Sequence, residues 1–335
     1  MITKKHTHIT WSIFLMLLAL GLVAMFTADC SGPPEPPEGL DTNPPAGSEA
    51  PAAGGGPPAH AHRRVSSVAH PGRVITDEQF TAKLDQVRQQ LGPGFRVEIV
   101  KPFVVASNQP AKDFDRIHQH TIGWAVKMLN KDFFSDPLQE IIVIYLFRNK
   151  ESYHRHSQSL FGEKPTTPYG YYLPGHQALV MNIDTGTGTL VHEMVHPLLA
   201  TDFPQVPSWF DEGLAALYER CHQRDGKIVG LLNWRLPVLQ EGLRAGHLVD
   251  LEKLLANSRD GFYDDPHGMH YAETRYLCYY LQEKYLLRSF YHEFRKSCST
   301  DPTGRATLLR ITGKSSLMQL QSEWLEFLAP LRYGR

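Results

Sequence analysis

Between Ser31 and Arg64 the chain reads SGPPEPPEGLDTNPPAGSEAPAAGGGPPAHAHRR, with nine prolines and almost nothing to bury. Proline locks φ and removes a backbone donor, and the glycines add slack, so this stretch is an extended tether. Its closing Ala-His-Ala-His-Arg-Arg reads as a solvated run. Folding is thereby confined to the residues C-terminal to it, with order resuming near Thr76. In front of the tether, Lys4 and Lys5 precede Ile9–Ala28, twenty uncharged and mostly apolar residues. A bilayer needs about twenty, and the lysines stay on the cytoplasmic side, so everything after residue 28 is expected to be exported. The length favours a retained signal anchor. Cys30-Ser31-Gly32 offers a lipoprotein signal instead, with Cys30 lipidated, although Asp29 stands where such signals want a small residue. Cleavage after Phe26-Thr27-Ala28 has a poor site. The expected organisation is a signal anchor or lipoprotein signal at 1–30, a tether at 31–75 and one folded unit at 76–331.

That unit is large enough for one domain or two closely packed lobes, since 42% of the 335 residues are hydrophobic. The net charge of −1 leaves no basic excess to hold a phosphate backbone, which argues against nucleic acid as a partner. Four cysteines (Cys30, Cys221, Cys278, Cys298) are too few for a disulfide framework, and none has C-x-x-C spacing. Cys278 lies in an apolar helical run and reads as packing.

Along the folded part, Thr76 caps a helical pattern that stops at Gly92-Pro93-Gly94. FRVEIV and FVVAS flank Lys101-Pro102 as a pair of strands. AKDFDRIHQHTIGWAVKMLNKDFF is a long amphipathic helix, and EIIVIYLF a buried strand by its unbroken apolar run. NKESYHRHSQSLFG is a further helix, followed by two short strands, YGYYL and ALVMNI, around Pro174-Gly175. From Gly188 to Leu331 the pattern is mainly helical.

The chemistry concentrates in TLVHEMVHPLL, residues 189–199. His192 and His196 are four apart, so on a helix they face one way and can hold one ion. Glu193 lies beside them, within reach of a water on that ion. Thr187 or Thr189 can cap the helix start after Gly186. Pro197 removes the hydrogen bond to the Glu193 carbonyl, and a kink is expected just after the ligand. A catalytic zinc usually has three protein ligands and keeps one position for water. The candidate third ligand lies downstream in PSWFDEGLAALYE, where Glu212 follows His196 by sixteen residues across the turn PQVP. Leu214, Ala215 and Leu217 suit a helix packed on the first. Glu219, seven beyond Glu212, projects from the same side and can accept the outer N–H of a ligating histidine.

His-Glu-x-x-His followed by Trp-Phe-Asp-Glu-Gly-Leu-Ala resembles the gluzincin metallopeptidases, specifically the peptidase MA-like domains of bacterial envelope proteins, and more distantly the aminopeptidase-N-type enzymes. The resemblance implies one catalytic Zn2+ on His192, His196 and Glu212, with Glu193 as general base and Glu219 behind a histidine. It implies an α+β, two-lobed fold: a small mixed sheet in the first lobe, the zinc helix at the junction and a mainly helical second lobe. It also points to HYAETRYLCYYLQEK, residues 270–284, in which Tyr271 and Tyr280-Leu281 reproduce a family spacing; Tyr271 then donates to the oxyanion. In the residues' own pattern, Tyr276, Leu277, Tyr280 and Leu281 form a core-facing stripe. His267 and His270 in the preceding loop read as solvated rather than substrate-contacting. The Gly-x-Met-Glu-Asn stretch by which the aminopeptidases hold a free amine has no equivalent. ALVMN, free of acidic residues, is placed to pair as an edge strand with an extended substrate. Endopeptidase action on a peptide or protein substrate is therefore favoured, with the membrane met only through the N-terminal segment. The alternative is an inactive zinc-containing envelope module for binding or scaffolding.

Overall fold

The computed structural model describes residues 74–334 except 249, 266 and 267. Ile9–Ala28, Cys30, nearly all of the tether and His267 lie outside the described residues. Among the described residues no helix is long and apolar enough to cross a membrane.

The architecture is mixed α+β around a five-stranded sheet of order β1-β2-β3-β5-β4. Helix α1 (Asp77–Leu91) begins at Thr76 with a reciprocal capping box to Gln79 and ends at Gly92, whose φ of 74° suits only glycine comfortably. Strands β1 (Arg96–Val100) and β2 (Phe103–Ser107) pair antiparallel across Lys101-Pro102. The expected long helix is present as α2 (Ala111–Arg116) and α3 (Trp124–Asp132), joined by a π-helical stretch at Ile117–Gly123. Then come β3 (Ile142–Phe147), α4 (Lys150–Phe161), β4 (Gly170–Leu173) and β5 (Ala178–Asn182).

Strands β2, β3 and β5 run parallel, with helices crossing over between them, and every residue of all three is buried. That two-sided burial explains the unbroken apolar runs. Alternate residues serve opposite faces. Val104, Val143, Tyr145 and Val180 pack with Phe80 and Leu84 of α1 and Tyr153 of α4. Val105, Ile144, Leu146, Leu179 and Met181 join the second core, which continues without interruption into the helical C-terminal part. Contrary to expectation, ALVMN is not an edge strand. It is β5, enclosed between β3 and β4, so the open edge on this side belongs to β4.

The helical part consists of α5 (Gly188–Asp202), α6 (Ser208–Leu217), α7 (Arg235–Ala245), α8 (Leu251–Ala256), α9 (Arg259–Tyr263), α10 (Met269–Glu283), α11 (Leu287–Ser297), α12 (Arg305–Thr312) and α13 (Leu317–Leu328). It is interrupted by an unexpected hairpin, β6 (Cys221–Arg224) and β7 (Lys227–Gly230). Its turn is Asp225-Gly226, with φ of 53° and 71°. Two consecutive positive φ values define the two-residue turn that Asp-Gly favours, and that dipeptide was the available signal.

Helix α10 is buried along most of its length, Tyr276, Leu277, Tyr280 and Leu281 included. It packs on α6 so closely that a Cβ at Gly213 would lie 2.9 Å from the Thr274 carbonyl oxygen. Cys221 and Cys278 are buried thiols, Cys298 is half-buried, and all three are free.

Candidate metal centre

Helix α5 carries His192 and His196 one turn apart with Glu193 beside the first, and α6 carries Glu212. The four are buried, at 2%, 0%, 4% and 0% exposure. Helix α5 continues through Pro197 to Asp202. The expected side-chain cap is not made. Thr187 takes the cap position with helical backbone angles (φ −93°, ψ −8°), which keep its hydroxyl from the first free N–H groups, and the sharp entry is made by Gly186 at φ 106°.

His192, His196 and Glu212 form a buried group able to hold a metal ion, with one donor atom from each lying within 4.8 Å of the others. Glu212 Oε2 is 3.4 Å from His192 Nε2 and 3.8 Å from His196 Nε2. The edge of a tetrahedron with metal–ligand bonds of about 2.0–2.1 Å is about 3.4 Å, so the spacing fits a small ion. Electrostatics agree. Glu193, Glu212, Glu219 and Asp211 surround the imidazoles, with Arg235 as the counter-charge. Burial alone would disfavour a proton on His192, yet the carboxylates of Glu212 and Glu219 overcome it and push its pKa up to about 10. A pocket that draws positive charge onto imidazole also favours a divalent cation there.

The outer nitrogens are held from behind. His196 Nδ1 is 2.8 Å from Asp211 Oδ1. His192 Nδ1 is 3.4 Å from Glu219 Oε1. Glu219 does this from a turn rather than from the helix face expected of it, because α6 stops at Leu217. It is fixed by Arg235, whose Nε and Nη2 donate to Oε2 and Oε1 at 3.0 and 2.7 Å, and by Asn233 Nδ2 at 3.1 Å. Burial would raise the Glu219 carboxyl, but Arg235 and His192 hold it well below the usual carboxylate range.

Two groups face the ligands with spare bonding capacity. Burial pushes the Glu193 carboxyl above its ordinary range, against the pull of the two imidazoles. Neither of its oxygens accepts a hydrogen bond of full strength, although the Tyr172 backbone N–H of β4 lies close enough to favour the charged form. The Tyr271 hydroxyl, at the start of α10, is buried without a hydrogen-bond partner. Burial and then Glu212 hold that phenol far above its ordinary pKa, so it stays a donor.

His192, Glu193, His196, Glu212, Glu219 and Tyr271 are therefore gathered in one place. His270 is not a loop residue: it is buried in α10, its Nδ1 2.9 Å from the Phe262 carbonyl. Sequence reasoning missed Asp211, Asn233, Arg235 and Tyr263. Asp211 stood inside the quoted motif. The other three come from segments with no pattern tying them to it. Tyr263 donates to Glu212 Oε1 at 2.5 Å.

No family model matches the chain, and no curated protein matches it.

Proposed function

We propose that this chain is a zinc-dependent peptidase of gluzincin type, cleaving internal bonds of extended peptides. The observation that carries the proposal is the approach of His192, His196 and Glu212 to within one ion's reach, beside a Glu193 carboxylate with no strong partner. A zinc ion held there would supply Lewis-acid polarisation and lower the pKa of water from about 15.7 towards about 7.

The chain's own residues do the rest. Glu193 takes a proton from the water as its oxygen attacks the amide carbon. It returns that proton to the nitrogen as the C–N bond breaks. Tyr271 donates to the oxygen that gains negative charge; losing one such donor typically costs on the order of a hundredfold or more. Asp211 and Glu219 hold the imidazoles in orientation.

Strand β4 supports the choice of an extended substrate. Asn182 N–H donates to the Tyr169 carbonyl, so Tyr169, Tyr171 and Leu173 turn their backbone groups towards β5. Gly170 and Tyr172 then point theirs outward, beside Glu193, where a peptide can add as a further strand. The apolar run at 9–28 and the proline-rich stretch support an exported enzyme tethered at the cell envelope, by a signal anchor or by lipidated Cys30.

Deep burial of all three ligands favours one second reading, a zinc-containing scaffold without turnover. Glu193→Gln separates the two. On the peptidase reading the variant keeps stoichiometric zinc and loses casein digestion by at least about 100-fold. Equal activity in variant and wild type, or none in either, overturns it.

A further inference from the structure

Glu212 is gripped on both sides. Its Oε2 lies towards the two imidazoles, at 3.4 and 3.8 Å, while its Oε1 accepts the Tyr263 hydroxyl at 2.5 Å. That is the length of a charge-assisted O–H···O bond, a stronger class than neutral pairs. We propose that Tyr263 is a positioning residue for the metal centre: it occupies the outer oxygen of Glu212, so that the carboxylate offers the ion one oxygen. The inference rests on the reading of His192, His196 and Glu212 as metal ligands.

Local contacts fix where Tyr263 falls. Helix α9 is started by Ser258, whose side chain accepts the Gly261 N–H at 3.1 Å. The next-to-last residue, Phe262, is fully buried, stacks edge-on against Tyr271 and accepts His270 Nδ1 through its carbonyl. Tyr263 is thus carried to Glu212 by a short, self-capped helix anchored on α10.

The consequence is a division of labour between two tyrosines in one pocket. Their rings are 6.4 Å apart. The Tyr263 hydroxyl is committed to Glu212, whereas the Tyr271 hydroxyl is buried without a partner. A carboxylate free at its outer oxygen can swing to bind an ion through both oxygens and fill the position that water needs. Tyr263 prevents this, and Tyr271 is left to meet the substrate.

The test uses the full chain, with zinc alone and cobalt(II) alone as probes. Tyr263→Phe is expected to weaken zinc about 10- to 100-fold, as loss of a group behind a ligand does, measured by competition with a chromophoric chelator. The cobalt visible bands of that variant should lose intensity as coordination rises above four. Tyr271→Phe should keep the zinc affinity within about twofold, together with the wild-type cobalt spectrum. Wild-type affinity and spectrum in Tyr263→Phe would overturn the inference while leaving the metal site standing. A wild-type chain that takes up neither ion overturns the metal site itself. Should the Phe variant unfold, 4-aminophenylalanine at position 263, which keeps the ring and puts an N–H donor in the place of the hydroxyl, is expected to hold zinc within about tenfold of wild type; zinc binding weakened beyond about 100-fold there also overturns the inference.

Discussion

Gly213, next to Glu212, sets how closely α6 and α10 approach, and adding one methyl there pits two known effects against each other. Alanine in a helix interior is favoured over glycine by about 0.8–1.0 kcal/mol. Against this, a Cβ would fall 2.9 Å from Thr274 O, 3.1 Å from Thr274 C and 3.0 Å from Cys278 Sγ, where ordinary contact begins at 3.4 Å. The thiol can rotate away, but the carbonyl is held in the α10 ladder. The helices must therefore part by about half an ångström (3.4 − 2.9). Overpacking of this kind costs about 1–3 kcal/mol, and a rigid backbone obstacle belongs in the upper half of that range. The net expectation for Gly213→Ala is a loss of about 1–2 kcal/mol, or roughly 2–8 °C in Tm for a folded part of this size. Differential scanning calorimetry reads it. A variant that melts higher than wild type would refute the argument, because it would mean that propensity dominates and the helices are not in contact at this point. Separation of α6 from α10 also moves Glu212 relative to Tyr271, so on the proposed peptidase function turnover should fall by more than zinc affinity.

Two further substitutions probe the supports of the site. Asp211→Ala removes the carboxylate behind His196 and should weaken zinc about 10- to 100-fold in a chelator competition, with far-UV circular dichroism unchanged. Asp202, at the end of α5, accepts from Ser135 N and Oγ and from Asp136 N at 2.8–3.0 Å, and from Tyr291 and Arg295. Asp202→Asn puts an amide among those donors and should cost about 2–3 kcal/mol in urea unfolding at pH 7. Burial would raise the Asp202 pKa, but Tyr291, the two backbone N–H groups and Arg295 lower it below its ordinary value. Its contribution is therefore full above about pH 4 and is lost as pH falls through the lower folded-state value. The stability gap between wild type and Asp202→Asn should narrow on acidification below about pH 4; a gap constant with pH would refute the assignment.

The fold was legible where local rules dominate. Thr76 with Gln79, Asn149 before α4 and the apolar runs of β2, β3 and β5 each carry their reason within a few residues. The order of the strands was not legible. Nothing in ALVMN distinguishes an edge from an interior strand, since both want apolar residues on the covered faces; the decision lies in YGYYL, which takes the outside position. The β6–β7 hairpin was overlooked although Asp225-Gly226 announces it, because the flanking residues Cys221–Arg224 do not alternate cleanly between apolar and polar.

At the site, what could be read was what helical periodicity or a short contiguous motif encodes: the imidazole pair, Glu193 and Glu212. The supports obey no period. Arg235 reaches Glu219 across sixteen residues and Tyr263 reaches Glu212 across fifty-one, each from a different helix. The two tyrosines show why sequence alone stops there. Tyr263 and Tyr271 are chemically identical, eight residues apart and both close to Glu212. A spacing match selected Tyr271, but no spacing can say which phenol is engaged and which is available. That depends on where α9 ends relative to the outer oxygen of one carboxylate. Once Tyr263 is bound to that oxygen, the remaining phenol is the one in a position to serve a reaction.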